Sequence, residues 1–328
     1  MAVVNVVFHR GICLPELGLW LDARQRRATA LVSHAHSDHV GRHPSPFLTP
    51  ATGRLLRPVL DGRGQPLEYG EVVETPHYRL SLHPSAHCLG AAQVLVEVKA
   101  TGERILYTGD LKLRPNATAL PTEAVPCDTL VLDATYGSPR YQFPPDGDTL
   151  ARLRALLEEW LARGWTPVVL AYRVGKAQEV LHHLLAWGFP VALHPAAYEV
   201  ARAYEELGVA FPGAYRPLEG RPHDGEVVVS PPLRRGGEAL AALGRYRAVF
   251  LTGWALDGQA RWFGAHAALP FSDHCDFPDL LAYVRQTGAR RVFTVFGGRE
   301  LVAHLRRQGY DARHLGGHGA GRALAQQL

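Results

Sequence analysis

The sequence predicts an α/β fold in which an α/β unit is inserted into a β-rich frame. Three observations predict it. Residues 1–145 break into short apolar runs divided by Gly, Pro and Asn/Asp, as a sheet layer with loops gathered on one edge would. Residues 146–267 alternate strand-like runs with amphipathic helical ones, the texture of a parallel α/β unit, and residues 268–328 return to the frame. Within the frame, Val32-Ser33-His34-Ala35-His36-Ser37-Asp38-His39-Val40-Gly41 crowds four metal-ligating side chains into six positions at the end of a strand.

In chain order, the frame offers strands at 3–8, 19–22, 28–33, 78–82, 93–98 and 104–108, rich in Val, Leu, Ile and Tyr. A helix is expected to open at 37–43, and Thr101-Gly102 supplies the turn between the last two strands. An apolar strand within 128–137 ends in the acid Asp133, and the Pro-bearing segment 139–145 marks a boundary. In the insert, Leu150, Leu153, Leu156, Leu157 and Leu161 share one face of a helix at 149–163. Strand 167–172, helix 176–187, a strand at Val191, helix 197–207 and strands 225–230 and 248–251 follow. The return reads as a loop, helix 278–286, strand 291–295, helix 300–308 and a tail.

The chain has 328 residues, of which 47% are hydrophobic, so it can bury a sizeable core. No run approaches a membrane span, and the first residues lack a signal-peptide layout, so a cytoplasmic protein is expected. Four scattered cysteines (Cys13, Cys88, Cys127, Cys275) form no C-x-x-C pair and are expected to be free thiols rather than disulfides or a zinc knuckle. Net charge is +4, which permits a nucleic-acid partner without requiring one. Lysine occurs only as Lys99, Lys112 and Lys176, so arginine carries most of the positive charge.

Imidazole nitrogens and carboxylate oxygens at this density suit zinc and, less selectively, manganese or iron. With its H-x-H-x-D-H pattern the chain resembles the metallo-β-lactamase superfamily. That family's first motif fits Asp22 in Leu19-Trp20-Leu21-Asp22, its third fits His87 in Ser85-Ala86-His87-Cys88, and its fourth fits Asp110 in Tyr107-Thr108-Gly109-Asp110. The resemblance implies an αββα sandwich. It also implies two divalent metals, zinc first and manganese second. His34, His36 and His87 would hold one metal, Asp38 and His39 the other, and Asp110 would bridge. Asp22 would support the site from behind by binding the amides of the histidine loop.

The insert narrows the resemblance to the β-CASP nucleases, with domains at 1–145, 146–267 (the β-CASP domain) and 268–328. The further motifs of this group match Asp133 in Leu132-Asp133-Ala134-Thr135-Tyr136-Gly137 and His274 in Phe271-Ser272-Asp273-His274-Cys275-Asp276. The group's last histidine should stand in Val295-Phe296-Gly297-Gly298, where this chain has Phe296, so the second metal site is expected to be weaker or completed by water. His314 or His318 could substitute, although a Gly-rich tail is the preferred reading of 316–321. The details are similar to the bacterial ligase-associated DNA exonucleases and to mRNA 3′-end processing factors.

What this implies is a metal-dependent exonuclease with Asp38, His274 and Asp133 as its catalytic set, His274 being the general acid oriented by Asp133. DNA is favoured over RNA, and a DNA ligase or a helicase is the implied protein partner. Arg173 and Lys176, at a helix start, and Arg114 and Arg140, just past Asp110 and Asp133, are the expected phosphate contacts. Competing readings are an RNA-processing enzyme, a thioesterase or lactonase, and an inactive nucleic-acid binder.

Overall fold

Successive side chains along the strands of the frame enter different cores, so that a single sheet feeds two. In Ala92–Val98 and Arg104–Tyr107, Val94, Val96, Ile105 and Tyr107 face one core while Leu95 and Leu106 face the other. Successive side chains on a strand point to opposite faces, and apolar residues on both therefore demand cover on both. The computed structural model describes residues 4–232, 243–258 and 264–316. Its described residues form two compact units, one built from the chain up to Gln142 and again from His274, the other from Phe143–Asp273.

The first unit holds two sheets. The smaller runs in sequence order through Val7–Phe8, Ile12–Leu14, Leu19–Leu21, Ala30–Leu31, Phe47–Leu48 and Gln65–Pro66. The larger has the order Asp311–Gly316, Arg291–Val295, Thr129–Asp133, Arg104–Tyr107, Ala92–Val98, Tyr78–Pro84 and Val72–Glu74. Leu14, Leu19, Leu21 and Leu31 from the first meet Leu80, Val94, Val96 and Val131 from the second in one core. On the outer face of the larger sheet, Leu130, Leu132 and Val292 pack against Leu280 and Val284 of helix Phe277–Thr287 and Leu301 and Leu305 of helix Glu300–Arg307.

This topology positions the site. Arg104–Tyr107, Thr129–Asp133 and Arg291–Val295 are parallel neighbours, and Tyr78–Pro84 points the same way because two antiparallel pairings separate it from Arg104–Tyr107. Residues at or just past the ends of these strands, including His87, Asp110, Asp133 and Phe296, are therefore delivered to one edge, where ligands bind in parallel sheets.

In the second unit a six-stranded, wholly parallel sheet runs Tyr215–Pro217, Val191–Leu193, Val227–Ser230, Thr166–Leu170, Tyr246–Leu251 and Ala267–Leu269. Helices Asp146–Ala162, Lys176–Ala186 and Pro195–Glu206 supply Leu153, Leu157, Val180, Leu181, Leu184 and Ala201 to its core. All four residues of Val227–Ser230 are buried, as expected of a strand covered on both faces.

Two expectations need correction. The helix expected at 37–43 is a single 3₁₀ turn, Ser37–His39, which ends because Val40 is already extended. The expected tail contains a strand, Asp311–Gly316, whose pairing with Arg291–Val295 supplies an order that its polar sequence does not signal. His318 lies outside the described residues. Among those residues no helix is long and apolar enough to cross a membrane, and the four cysteines are buried thiols that form no disulfide.

Candidate metal centre

Strand Ala30–Leu31 ends in a loop held at its start by the Val32 N–H, which donates to the Phe47 carbonyl (2.9 Å). The loop then turns through Ser37–His39, with the His39 N–H on the His36 carbonyl. The turn swings His34 and His36 toward His87 while His39 faces the other side of Asp110. His36 Nδ1 and His87 Nε2 are 3.0 Å apart, and His34 Nε2 and His87 Nε2 lie 3.4 and 3.5 Å from Asp110 Oδ2. His39 Nε2 lies 3.4 Å from the other oxygen, Asp110 Oδ1, and 3.9 Å from Asp38 Oδ2. The six side chains thus divide into two groups that share one carboxylate.

His34, His36, His87 and Asp110 present ligand atoms that all lie within 4.8 Å of one another, enough to hold a cation. The residues fit such a group on a further observation. His34 Nε2 and Asp38 Oδ1 are buried without a hydrogen-bond partner, an arrangement that is costly unless something else satisfies them. Nitrogen and carboxylate donors of this kind suit zinc or manganese.

The electrostatics tell the same story. Burial, reinforced by Asp133 and Asp38, pushes the Asp110 carboxyl up to about 7 against the pull of His39 and His274. Burial and the neighbouring histidines hold His34 well below the usual imidazole range, so it is neutral. For His39, burial is outweighed by the charges of Asp110, Asp38 and Asp22, which hold its pKa well above that range. Asp38 is lowered because His39 and His36, with a further contribution from Arg24, overcome its burial.

Behind the ligands, Asp22 adopts a left-handed backbone (φ 49°) that turns its carboxylate back on the loop. Its Oδ1 accepts from the Ser33 N–H (2.7 Å), and its Oδ2 accepts from the Ser33 hydroxyl (2.6 Å), the Tyr107 hydroxyl (2.8 Å) and His39 Nδ1 (2.8 Å). Ser33 and Tyr107 escaped the sequence reading, since each reads as an ordinary strand residue.

At the end of its strand, Asp133 Oδ2 lies 2.8 Å from His274 Nδ1, and its Oδ1 accepts from the Thr135 N–H and hydroxyl. His274 Nε2 points toward the ligand cluster, 3.8 Å from Asp110 Oδ2. Phe296, again left-handed (φ 59°), sets its ring 5.8 Å from that of His39. His314 is not among the donors: its Nδ1 is 3.1 Å from the Thr294 hydroxyl on the strand it pairs with.

The expected phosphate contacts fare differently. Arg114 is bound by Asp276 (2.8 Å) and Asp279 (3.3 Å), and so fastens the loop after His274 with its charge already matched. Lys176 is fully buried and lies 2.9 Å from Asp273, and the Gly175 N–H ahead of it donates to Gln178 Oε1. That helix start is thus a closed internal cap rather than an open phosphate site. Arg140 is exposed, its guanidinium donating to the Tyr141 hydroxyl, and Arg173 is exposed in the inserted unit.

No family model matches the chain. Over 317 residues, or 95% of its length, it is 36% identical to a probable DNA ligase of Opitutus terrae, of which it covers 31%. It is 29% identical over 214 residues to a ribonuclease of Thermus thermophilus, covering 54% of this chain and 48% of that protein. With an RNase J-like protein of Methanocaldococcus jannaschii it shares 30% over 215 residues, covering 55% and 50%. The chain therefore spans about a third to a half of the length of these relatives. The likeness to these relatives, and a sandwich whose strand ends bring the motif residues around one shared carboxylate, fit the metallo-β-lactamase superfamily and, within it, the β-CASP group.

Proposed function

We propose that this chain is a metal-dependent nuclease that hydrolyses phosphodiester bonds in DNA as an exonuclease. The observation that carries this reading is the division of five donors around Asp110, one oxygen facing His34 and His87 and the other facing His39. His34, His36, His87 and Asp110 would hold one metal, and Asp38, His39 and Asp110 the second. Such a pair supplies an activated water and neutralises charge on the phosphate. Zinc suits the nitrogen-rich first half, and manganese is the alternative. The second half has fewer donors and an apolar ring at His39, so its metal would be held less tightly.

Around that pair the chain's own residues orient and move protons. Asp22 fixes His39 through its Nδ1. Asp133 accepts at His274 Nδ1, which leaves Nε2 to deliver a proton to the leaving oxygen. Arg140 and Arg173, both exposed, remain phosphate contacts, and Lys176 and Arg114 do not.

DNA is favoured because the relative named for DNA matches nearly the whole chain, whereas those named for RNA match about half of it. Most of that relative lies outside the match, which supports a DNA ligase as functional partner. An RNA substrate is the second reading, favoured by the ribonuclease relatives themselves. The test is cleavage of matched 5′-labelled single-stranded DNA and RNA with added zinc or manganese, beside an Asp38→Ala/His39→Ala variant. Shortening of DNA alone, lost in the variant, is expected. Preference for RNA would transfer the enzyme to RNA processing, and cleavage of neither, with metal bound, would overturn the nuclease reading in favour of thioesters or lactones.

A further inference from the structure

Two histidines from opposite halves of the metal centre share a single anchor. His39 Nδ1 reaches Asp22 Oδ2 directly, at 2.8 Å. His34 Nδ1 reaches it through Ser33, whose hydroxyl oxygen lies 2.9 Å from the ring nitrogen and 2.6 Å from the same carboxylate oxygen. With Tyr107 and the Ser33 amide also donating, Asp22 has four donors, which is the acceptor capacity of a carboxylate.

Proton directions follow from this inventory. A carboxylate surrounded by donors accepts, so the one hydroxyl proton of Ser33 points at Asp22. The Ser33 oxygen then has only lone pairs to offer His34, and His34 must carry its proton on Nδ1. Its Nε2, buried with no hydrogen-bond partner, is left bare toward Asp110. The position is built for a small hydroxyl. A side chain at Gly109 would lie 2.8 Å from the Ser33 oxygen and 2.9 Å from its Cβ, and Gly109 directly precedes Asp110.

We infer that Ser33 is a positioning residue, a hydroxyl relay through which Asp22 sets the tautomer of His34 while it binds His39 Nδ1 directly, so that one carboxylate orients a ligand in each half of the centre. This rests on the metal-binding part of the function proposed above, not on the substrate.

The test uses the full chain labelled with ¹⁵N-histidine. Long-range ¹H–¹⁵N spectra of the metal-free protein distinguish a protonated ring nitrogen from a bare one, with the His34 signals assigned by His34→Gln. Wild type is expected to show His34 protonated at Nδ1. Ser33→Ala should lose that signature and bind zinc about 10- to 100-fold more weakly in chelator competition. Ser33→Thr, which keeps the hydroxyl, should restore both. Tyr107→Phe removes a donor from Asp22 but leaves the relay intact, and should keep the His34 signature. A wild-type His34 protonated at Nε2 would overturn the proposal whether or not any variant folds. So would a Ser33→Ala protein with unchanged zinc affinity, or a folded Ser33→Thr protein without rescue. None of these readouts needs cleavage, so zinc binding without nuclease activity would sink the substrate reading and leave this one standing.

Discussion

The ring of Phe296 lies 5.8 Å from the ring of His39 and is tilted 59° to it, so one flank of the Asp38–His39 half is apolar. The other half has three imidazoles facing Asp110 Oδ2 or one another. Two metals bound here should therefore differ in affinity. Dialysis against a mild chelator is expected to strip one metal and leave about one per chain, read by elemental analysis. Phe296→His should tighten the weaker site by about tenfold or more, since an added donor is worth at least what its supporting shell is worth. Histidine also tolerates the left-handed backbone at this position better than phenylalanine does. Two metals of equal affinity in the wild type would refute the asymmetry.

The pair Asp133–His274 makes a separate prediction. Asp133→Asn keeps the size of the side chain but removes the carboxylate that supports a protonated imidazole 2.8 Å away. Its kcat should fall by roughly a hundredfold or more, the usual worth of a positioned general acid, while metal content matches that of the wild type. Loss of metal together with rate would instead make Asp133 part of the metal site.

Acid should expel the metal. Burial and the flanking Asp133 and Asp38 push the Asp110 carboxyl up to about 7, and the nearby carboxylates outweigh burial to keep His39 charged well above the usual imidazole range. Between them these two groups hold at least one proton in the metal-free protein, and a cation must displace it. Affinity is therefore limited by proton competition below about pH 7 and rises with pH, by roughly tenfold per pH unit for each proton released. Competition titrations at about pH 8 and about pH 6 should differ by tenfold or more in favour of the higher pH. A flat profile would show that neither group is protonated before metal arrives.

How much of this was legible depended on range. The histidine loop, Asp22, His87, Asp110 and the insert could be read because each follows a strand whose apolar pattern is local. Ser33 and Tyr107 could not. Tyr107 reaches Asp22 only because its strand pairs with Val94 on one side and Val131 on the other, a register no short window reveals. Strand Asp311–Gly316 was hidden for the same reason, its order coming from the partner strand. Arg114 was misread because its carboxylates, Asp276 and Asp279, lie far along the chain.

Lys176 is the sharpest case of that limit, and it can be tested on stability. Gly175-Lys176 at a helix start looks like an exposed phosphate contact, yet the Lys176 and Asp273 side chains are 2% and 5% exposed and lie 2.9 Å apart. Removing Lys176 takes away the ammonium 2.9 Å from a buried carboxylate, and breaking a buried ion pair in this way typically costs about 3–5 kcal/mol. Lys176→Met should therefore lower the urea midpoint of the inserted unit, followed by the fluorescence of Trp165 and Trp187. Adding Asp273→Asn should recover part of the loss, because the buried carboxylate that lost its ammonium is gone even though the pair is not restored. The exposed-cation reading predicts the opposite pattern, in which Lys176→Met weakens nucleic-acid binding and leaves the unfolding midpoint where it was. Burial decides between the two in favour of stability, since an ammonium enclosed with its counter-ion would have to break that pair before it could reach a phosphate.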